Sequence, residues 1–364
     1  MRRWLVAIAV LFAMAGTVCG ADVYQEEAEI LGAGALSEGL TGEAADLMDG
    51  FSPTEPTDFA SGFQKIVSGV MEGIDSWGRK SVRTCALLLA VCLSCGICGC
   101  FKDRHSGAAV RMAGCLGIVT ICTSSLYGMI ALAQETLDAL GNFSALLLPV
   151  LSSALAASGG VTSGGALYAG ATLLIGVLTS LIRSFLIPCV YCYLFLAAAE
   201  CAVGDERLGQ LRDLAGWTVK TALRAAVAAF TAYLTLTGLL AGASDEMTLK
   251  AAKSVISTTI PVVGSMISEA SQAVLTSAAL IKNASGAFGL LAVLAVGLGP
   301  FAQIGIRYLT LRAAAALSGF LAEKEHAGLL GAAAEAMGYM LAMTGSAMLM
   351  VIVAVCAFLK VVNG

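Results

Sequence analysis

Four cysteines, Cys92, Cys95, Cys98 and Cys100, fall within one short stretch, and overlapping CxxC steps of this kind can hold zinc or an iron–sulfur cluster. On a continuous helix, however, Cys92 and Cys95 share a face while Cys98 and Cys100 drift off it. No His or carboxylate joins them before His105. The run around them is apolar, where a thiol behaves as a small apolar side chain. The spacing therefore reads as a helix-packing surface, and neither a metal nor a cofactor is expected. Cys189 and Cys192, just after Pro188, read the same way.

Acid–base and nucleophilic chemistry find little more to work with. The two histidines, His105 and His326, both stand in charged stretches, and there is no GxSxG, no HExxH and no glycine-rich phosphate loop followed by Lys. An enzyme is not expected. What stands out instead is charge inside apolar sequence. Arg183 interrupts Ser180-Leu181-Ile182 and Ser184-Phe185-Leu186, Glu200 ends the run Leu196 to Ala199, and Glu335 lies amid Ala332 to Ala336. A charge at the centre of a bilayer costs at least about 3 kcal/mol on insertion scales, so such residues are functional candidates. Arg183 and Glu200 are the stronger two, although Arg183 can equally mark a turn between crossings and Glu200 can reach the cytoplasmic interface.

The elements that position these residues follow from composition. Of 364 residues, 58% are hydrophobic and 13% charged, with a mean hydropathy of +0.86, whereas soluble domains are about a quarter charged. The fold class is all-α: a polytopic helical membrane protein of about seven or eight spans behind a cleaved signal peptide, with amphipathic helices besides. The lipid bilayer is its first partner. There is no basic arm and no basic patch with interleaved aromatics, so no nucleic acid is expected.

Residues 1–20 read as the signal: Arg2 and Arg3, an apolar run from Trp4 to Ala15, and small residues up to Val18-Cys19-Gly20. Cleavage after Gly20 is expected, an uncleaved anchor helix being the alternative. Residues 21–80 form an acidic extracytoplasmic segment with twelve Asp/Glu against three Lys/Arg and no cysteine. It reads as a partly disordered linker followed by one short surface helix. Residues 81–364 form the membrane domain. Its apolar runs cover 82–100, 112–133, 143–157, 166–182, 185–203, 222–243, 286–306, 309–321 and 337–362, the run 309–321 being short enough to be re-entrant. Lys102, Arg104 and Arg111 place the first return in the cytoplasm. The Lys/Arg-free turn expected around Glu135 and Asp138 falls outside.

Two amphipathic segments are expected, near 205–220 and over 249–283. In the second, Ile256, Ile260, Val263, Ile267 and Val274 recur at helical spacing, opposite Ser257, Ser268, Glu269 and Gln272, with a break expected at Pro261 and Gly264. A helix made to lie on anionic lipid carries Lys and Arg on its polar face. Hydroxyls and amides suit packing on partner helices or lining a wet cavity. A helix packed on its own domain is the plainer alternative.

Ile260-Pro261-Val262-Val263-Gly264, then Ile267-Ser268-Glu269-Ala270, then Lys282-Asn283-Ala284-Ser285-Gly286 resembles the stage III sporulation protein AE family. Chain length, the N-terminal signal, the acidic exported segment and the order of spans fit that resemblance. It implies a subunit of the channel or secretion-like complex that connects mother cell and forespore and supports late forespore gene expression. The implied location is the mother-cell-derived outer forespore membrane. The implied partners are the other stage III sporulation proteins of the AA to AH operon and a forespore membrane protein. Lys282 and Asn283 then join Ser257, Pro261, Gly264, Ser268, Glu269 and Gln272 as candidates to face a partner or a channel. The competing reading is a self-sufficient small-solute permease of the cytoplasmic membrane.

Overall fold

The computed structural model describes the backbone of residues 28–40, 42–55, 58–100, 106–259, 264–321 and 324–360, and their side chains apart from 99, 100, 106–109, 111, 206, 235, 238–278 and 321. The expected signal peptide lies outside the described residues. Among these residues the regular elements are helices: α1 (Ala35–Glu38), α2 (Glu43–Met48), α3 (Phe59–Cys100), α4 (Ser106–Ala157), α5 (Val161–Leu181), a π turn (Ile182–Leu186), α6 (Ile187–Val203), α7 (Glu206–Thr259), α8 (Gly264–Leu321) and α9 (Lys324–Lys360).

Among the described residues, five helical units are long and apolar enough to cross a membrane: Phe59–Cys98, Met112–Ala157, Val161–Val203, Ala279–Phe320 and Lys324–Lys360. At ~1.5 Å per residue the 46 residues of Met112–Ala157 measure about 70 Å, against about 30 Å of hydrocarbon. No such helix lies in lipid over its whole length. The turns expected at Glu135–Asp138, at Arg183 and between 306 and 309 are absent, and the helices run straight through. Asp138 and Arg183, which read as turn signals in sequence, instead pair sideways between α4 and the π turn.

The π turn has an identifiable cause. Pro188 has no N–H to donate, and its ring would strike the carbonyl of Ser184 in an ideal helix; one looped residue relieves both.

Small residues let the helices close on one another. α4 turns through Ser158–Gly160, with Gly159 at φ 105°, into the antiparallel α5. Near that turn the Ser152 hydroxyl donates to the Gly164 carbonyl (2.9 Å), and at the far end the Cys115 thiol donates to the Ala198 carbonyl (3.4 Å). α6 ends on the left-handed Gly204 (φ 78°), whose N–H donates to the Glu200 carbonyl, and the chain reverses into α7. α8 and α9 are also antiparallel, with Gly286 facing Leu359, Gly345 facing Phe301 and Gly338 facing Tyr308.

The acidic N-terminal segment is not detached. Leu36 and Met48 of α1 and α2 belong to the same buried core as Phe143, Phe288 and Leu291. The Ser285 hydroxyl donates to the Pro53 carbonyl (3.0 Å), and Lys65 donates to the Asp49 carbonyl (2.8 Å). Residues 59–80 are the first half of α3 rather than a separate short helix: Asp58 caps its start through the Ala60 N–H (3.1 Å), and it continues into the apolar run.

Candidate functional site

The polar residues of the bundle gather where uncharged helix ends. In α8 no charge falls between Lys282 and Arg307, and in α9 none falls between Glu335 and Lys360. Each interval is about 36 Å at ~1.5 Å per residue, one hydrocarbon thickness with its interfaces. At one end the fully buried Lys282 ammonium donates to the Leu359 carbonyl (3.4 Å) in the last turn of α9, where a cation meets the negative end of the helix dipole.

At the other end Glu335 is the hub. The hydroxyls of Tyr193 and Tyr339 both donate to its Oε2, at 2.9 and 3.4 Å, and Arg312 Nη1 lies 4.0 Å from Oε1. The two tyrosine rings meet edge to face at 5.4 Å, and Lys220 Nζ lies 5.4 Å from the centre of the Tyr339 ring. Gly216 makes this closeness possible: a Cβ there would meet the Tyr339 hydroxyl at 2.5 Å. Helices α6, α7, α8 and α9 thus each contribute to one polar junction. Lys220, Arg224, Arg312 and Glu335 border a cavity of about 380 Å³ beside it. Arg307, five residues before Arg312 on α8, has Nε and Nη1 buried without a hydrogen-bond partner among the described residues.

Neither leading charge candidate stands alone. Glu200 Oε2 accepts from Arg212 Nη1 at 2.5 Å, and Arg212 Nη2 also reaches Asp213 Oδ1 at 2.9 Å. Burial alone would lower the Arg212 pKa, but the hydrogen bond to Asp213 and the Glu200 charge outweigh it and leave it above the ordinary guanidinium value. The pair staples the α6–α7 corner, and Gly209 leaves room for the Glu200 carboxylate. Arg183, on the π turn, pairs with Asp138 of α4. Both side chains are nearly half exposed, so this junction lies on the surface of the bundle.

Of the remaining candidates, Lys282 is buried and Asn283 is exposed. Ser257, Gly264, Ser268, Glu269 and Gln272 lie on the described backbone of α7 and α8, with their side chains outside the described residues, and Pro261 lies outside altogether. Sequence reasoning ranked Glu335 third and missed its partners. Tyr339, four residues on along the same helix face, was the available signal; Tyr193, Lys220 and Arg312 arrive from other helices and left none.

The cysteine run divides as helical spacing requires: Cys92 is buried, Cys98 exposed, and Cys100 lies among the undescribed side chains. Among the described residues no three His, Cys, Asp or Glu side chains come together in a way that could hold a metal ion. His326 is not in a charged turn. It is buried in the first turns of α9, where its Nε2 and Cys95 Sγ both crowd the space a Cβ on Gly114 would take.

Compared with known proteins, residues 46–361 match the family model for stage III sporulation protein AE. One relative is the stage III sporulation protein AE of Bacillus subtilis (strain 168), 24% identical over 187 residues that make up 51% of this chain and 47% of that protein. The chain thus spans about half the length of that relative. No solved structure matches. With all five long apolar helices of the described residues inside the matched region, this helical membrane protein belongs to the stage III sporulation protein AE family.

Proposed function

We propose that the chain is a membrane subunit of the channel or secretion-like complex that joins mother cell and forespore during endospore formation and supports late forespore gene expression. In this reading it sits in the outer forespore membrane with its N-terminal segment exported and its signal removed. It works there beside the other proteins of its operon and a forespore membrane partner, with about seven or eight crossings. The observation that carries the reading is the extent of the family match, which runs across the whole membrane body rather than one apolar helix. The polar face over 249–283 is the stretch assigned to a partner or channel.

Deletion in the native organism, followed by counting heat-resistant spores, tests this directly. The expected result is a collapse of spore yield that the intact gene restores; an unchanged yield overturns the proposal. Reconstitution of the purified chain alone in vesicles separates the competing reading, since a subunit moves no solute without its partners and a permease does.

A further inference from the structure

We propose that the cavity between α7, α8 and α9 binds a phosphate oxyanion, supplied in the cell by the headgroup of an anionic phospholipid. This rests on the chain lying in a membrane and is independent of the sporulation reading. The cavity, about 380 Å³, is bordered by three cations, Lys220, Arg224 and Arg312, and one carboxylate, Glu335. That carboxylate does not neutralise them. Its Oε2 is taken by two tyrosine hydroxyls, and its nearest cation contact is Arg312 at 4.0 Å. Arg224 has no ion pair or hydrogen bond among the described residues. Lys220 stands over an aromatic ring rather than an anion. The site keeps an excess of positive charge on side chains that two separate helices, α7 and α8, hold around one space.

The ligand class follows from shape and depth. Two guanidinium forks and an ammonium match a group with several oxygens, and guanidinium binds phosphate through paired N–H donors. Depth selects the source. Arg224, Arg312 and Glu335 lie at or just beyond the ends of charge-free runs in α7, α8 and α9, the level at which phospholipid headgroups lie. Tyr308 and Tyr339 are placed as interfacial tyrosines are. The remaining wall, Leu223 and Ala342, is apolar and suits the first part of an acyl chain. Basic pockets between membrane helices on the cytoplasmic side are the usual form of headgroup recognition, and the basic stretch Arg207 to Arg224 marks this end as cytoplasmic by the positive-inside count.

The test uses the full chain, purified in neutral detergent and stripped of lipid, with binding read by native mass spectrometry and by ligand-induced shifts in melting temperature. Dioleoylphosphatidylglycerol is compared with dioleoylphosphatidylcholine and with inorganic phosphate. One phosphatidylglycerol is expected to bind at least tenfold more tightly than phosphatidylcholine. The triple substitution Lys220→Gln, Arg224→Gln, Arg312→Gln should remove that preference, while Arg79→Gln with Lys80→Gln, on exposed residues of α3, should keep it. Arg224→Gln alone breaks no ion pair or hydrogen bond among the described residues and should still weaken binding severalfold, which covers the case of a triple variant that does not fold. Binding of inorganic phosphate but not phosphatidylglycerol, with the same dependence on the three cations, would retain the oxyanion and replace lipid with a soluble phosphate compound. Equal binding of the two lipids with no phosphate binding, or tight phosphatidylglycerol binding by Arg224→Gln and the triple variant alike, overturns the proposal.

Discussion

Exchanging Asp138 and Arg183 for alanine, singly and together, measures where the long α4–α5–α6 hairpin meets the membrane. At ~1.5 Å per residue Asp138 stands about 29 Å from Ala157, and Arg183 about 33 Å from Val161. The pair therefore divides the hairpin into a turn-side length close to the ~30 Å of a hydrocarbon core and a second length of about 39 Å along α4 back to Met112 and about 30 Å along α6 to Val203. Whichever length fills the lipid, the pair falls at its edge. An exposed pair in water couples by about 0.2–1 kcal/mol. In hydrocarbon, removing one partner strands a charge that costs about 2.5–3.5 kcal/mol on insertion scales. Both side chains are nearly half exposed to whatever surrounds the bundle, so an interfacial position predicts an intermediate coupling of about 1–2 kcal/mol. Unfolding of the four proteins by dodecyl sulfate in bicelles of fixed lipid composition gives this coupling as a double-mutant cycle. A coupling above about 2.5 kcal/mol would put the pair inside the hydrocarbon and refute the division; a coupling of zero would show that the two residues do not interact.

Two further substitutions test the packing. At Gly164 an added Cβ would lie 2.8 Å from the Ser152 carbonyl oxygen, whereas at the next residue, Gly165, it meets open space. Both alanine variants gain about 1 kcal/mol of helix propensity, so thermal melts should place Gly164→Ala below Gly165→Ala by about 1–3 kcal/mol, the cost of overpacking; equal melting temperatures would mean α4 and α5 are not in contact there. Tyr193→Phe should cost about 1 kcal/mol, less than the about 1.5–3 kcal/mol of a hydrogen bond to a charged group, because Glu335 is 43% exposed and water can replace the hydroxyl. Tyr339→Phe, whose bond is longer, should cost less in the same melt, and the reverse order would contradict the assignment of Tyr193 as the main donor.

Helical content and a membrane setting were legible because both depend on local composition: apolar residues of sufficient length admit few other structures in lipid. Where one helix ends and another begins was not. Arg183 and Glu135 look like punctuation in sequence, and yet both stand within continuous helical backbone, where a charge is held most cheaply when it finds a partner beside it. Asp138 provides one for Arg183 at a sequence distance that no periodicity reveals. The same holds for His326, which keeps charged neighbours in sequence while its ring turns inward against Gly114 and Cys95. Residues 21–80 misled in the opposite direction. Their own apolar area is small, but Leu36, Met48 and Ile66 complete a core whose larger part comes from α4, α8 and α9.

Charges within apolar sequence invite a transport reading, in which they bind or couple a moving solute. In this fold most of them join helices instead. Asp138–Arg183 links α4 to the π turn after α5, Glu200–Arg212 links α6 to α7, Tyr193–Glu335 links α6 to α9, and Lys282 fastens α8 to the end of α9. A side chain that holds two helices together changes its protonation or partner only by loosening the bundle, which suits a scaffold better than a carrier cycling between states. The positive charge without a close partner collects on α7 and α8, in Lys220, Arg224, Arg307 and Arg312. Ligand chemistry in this bundle is therefore at that end rather than at Arg183 or Glu200.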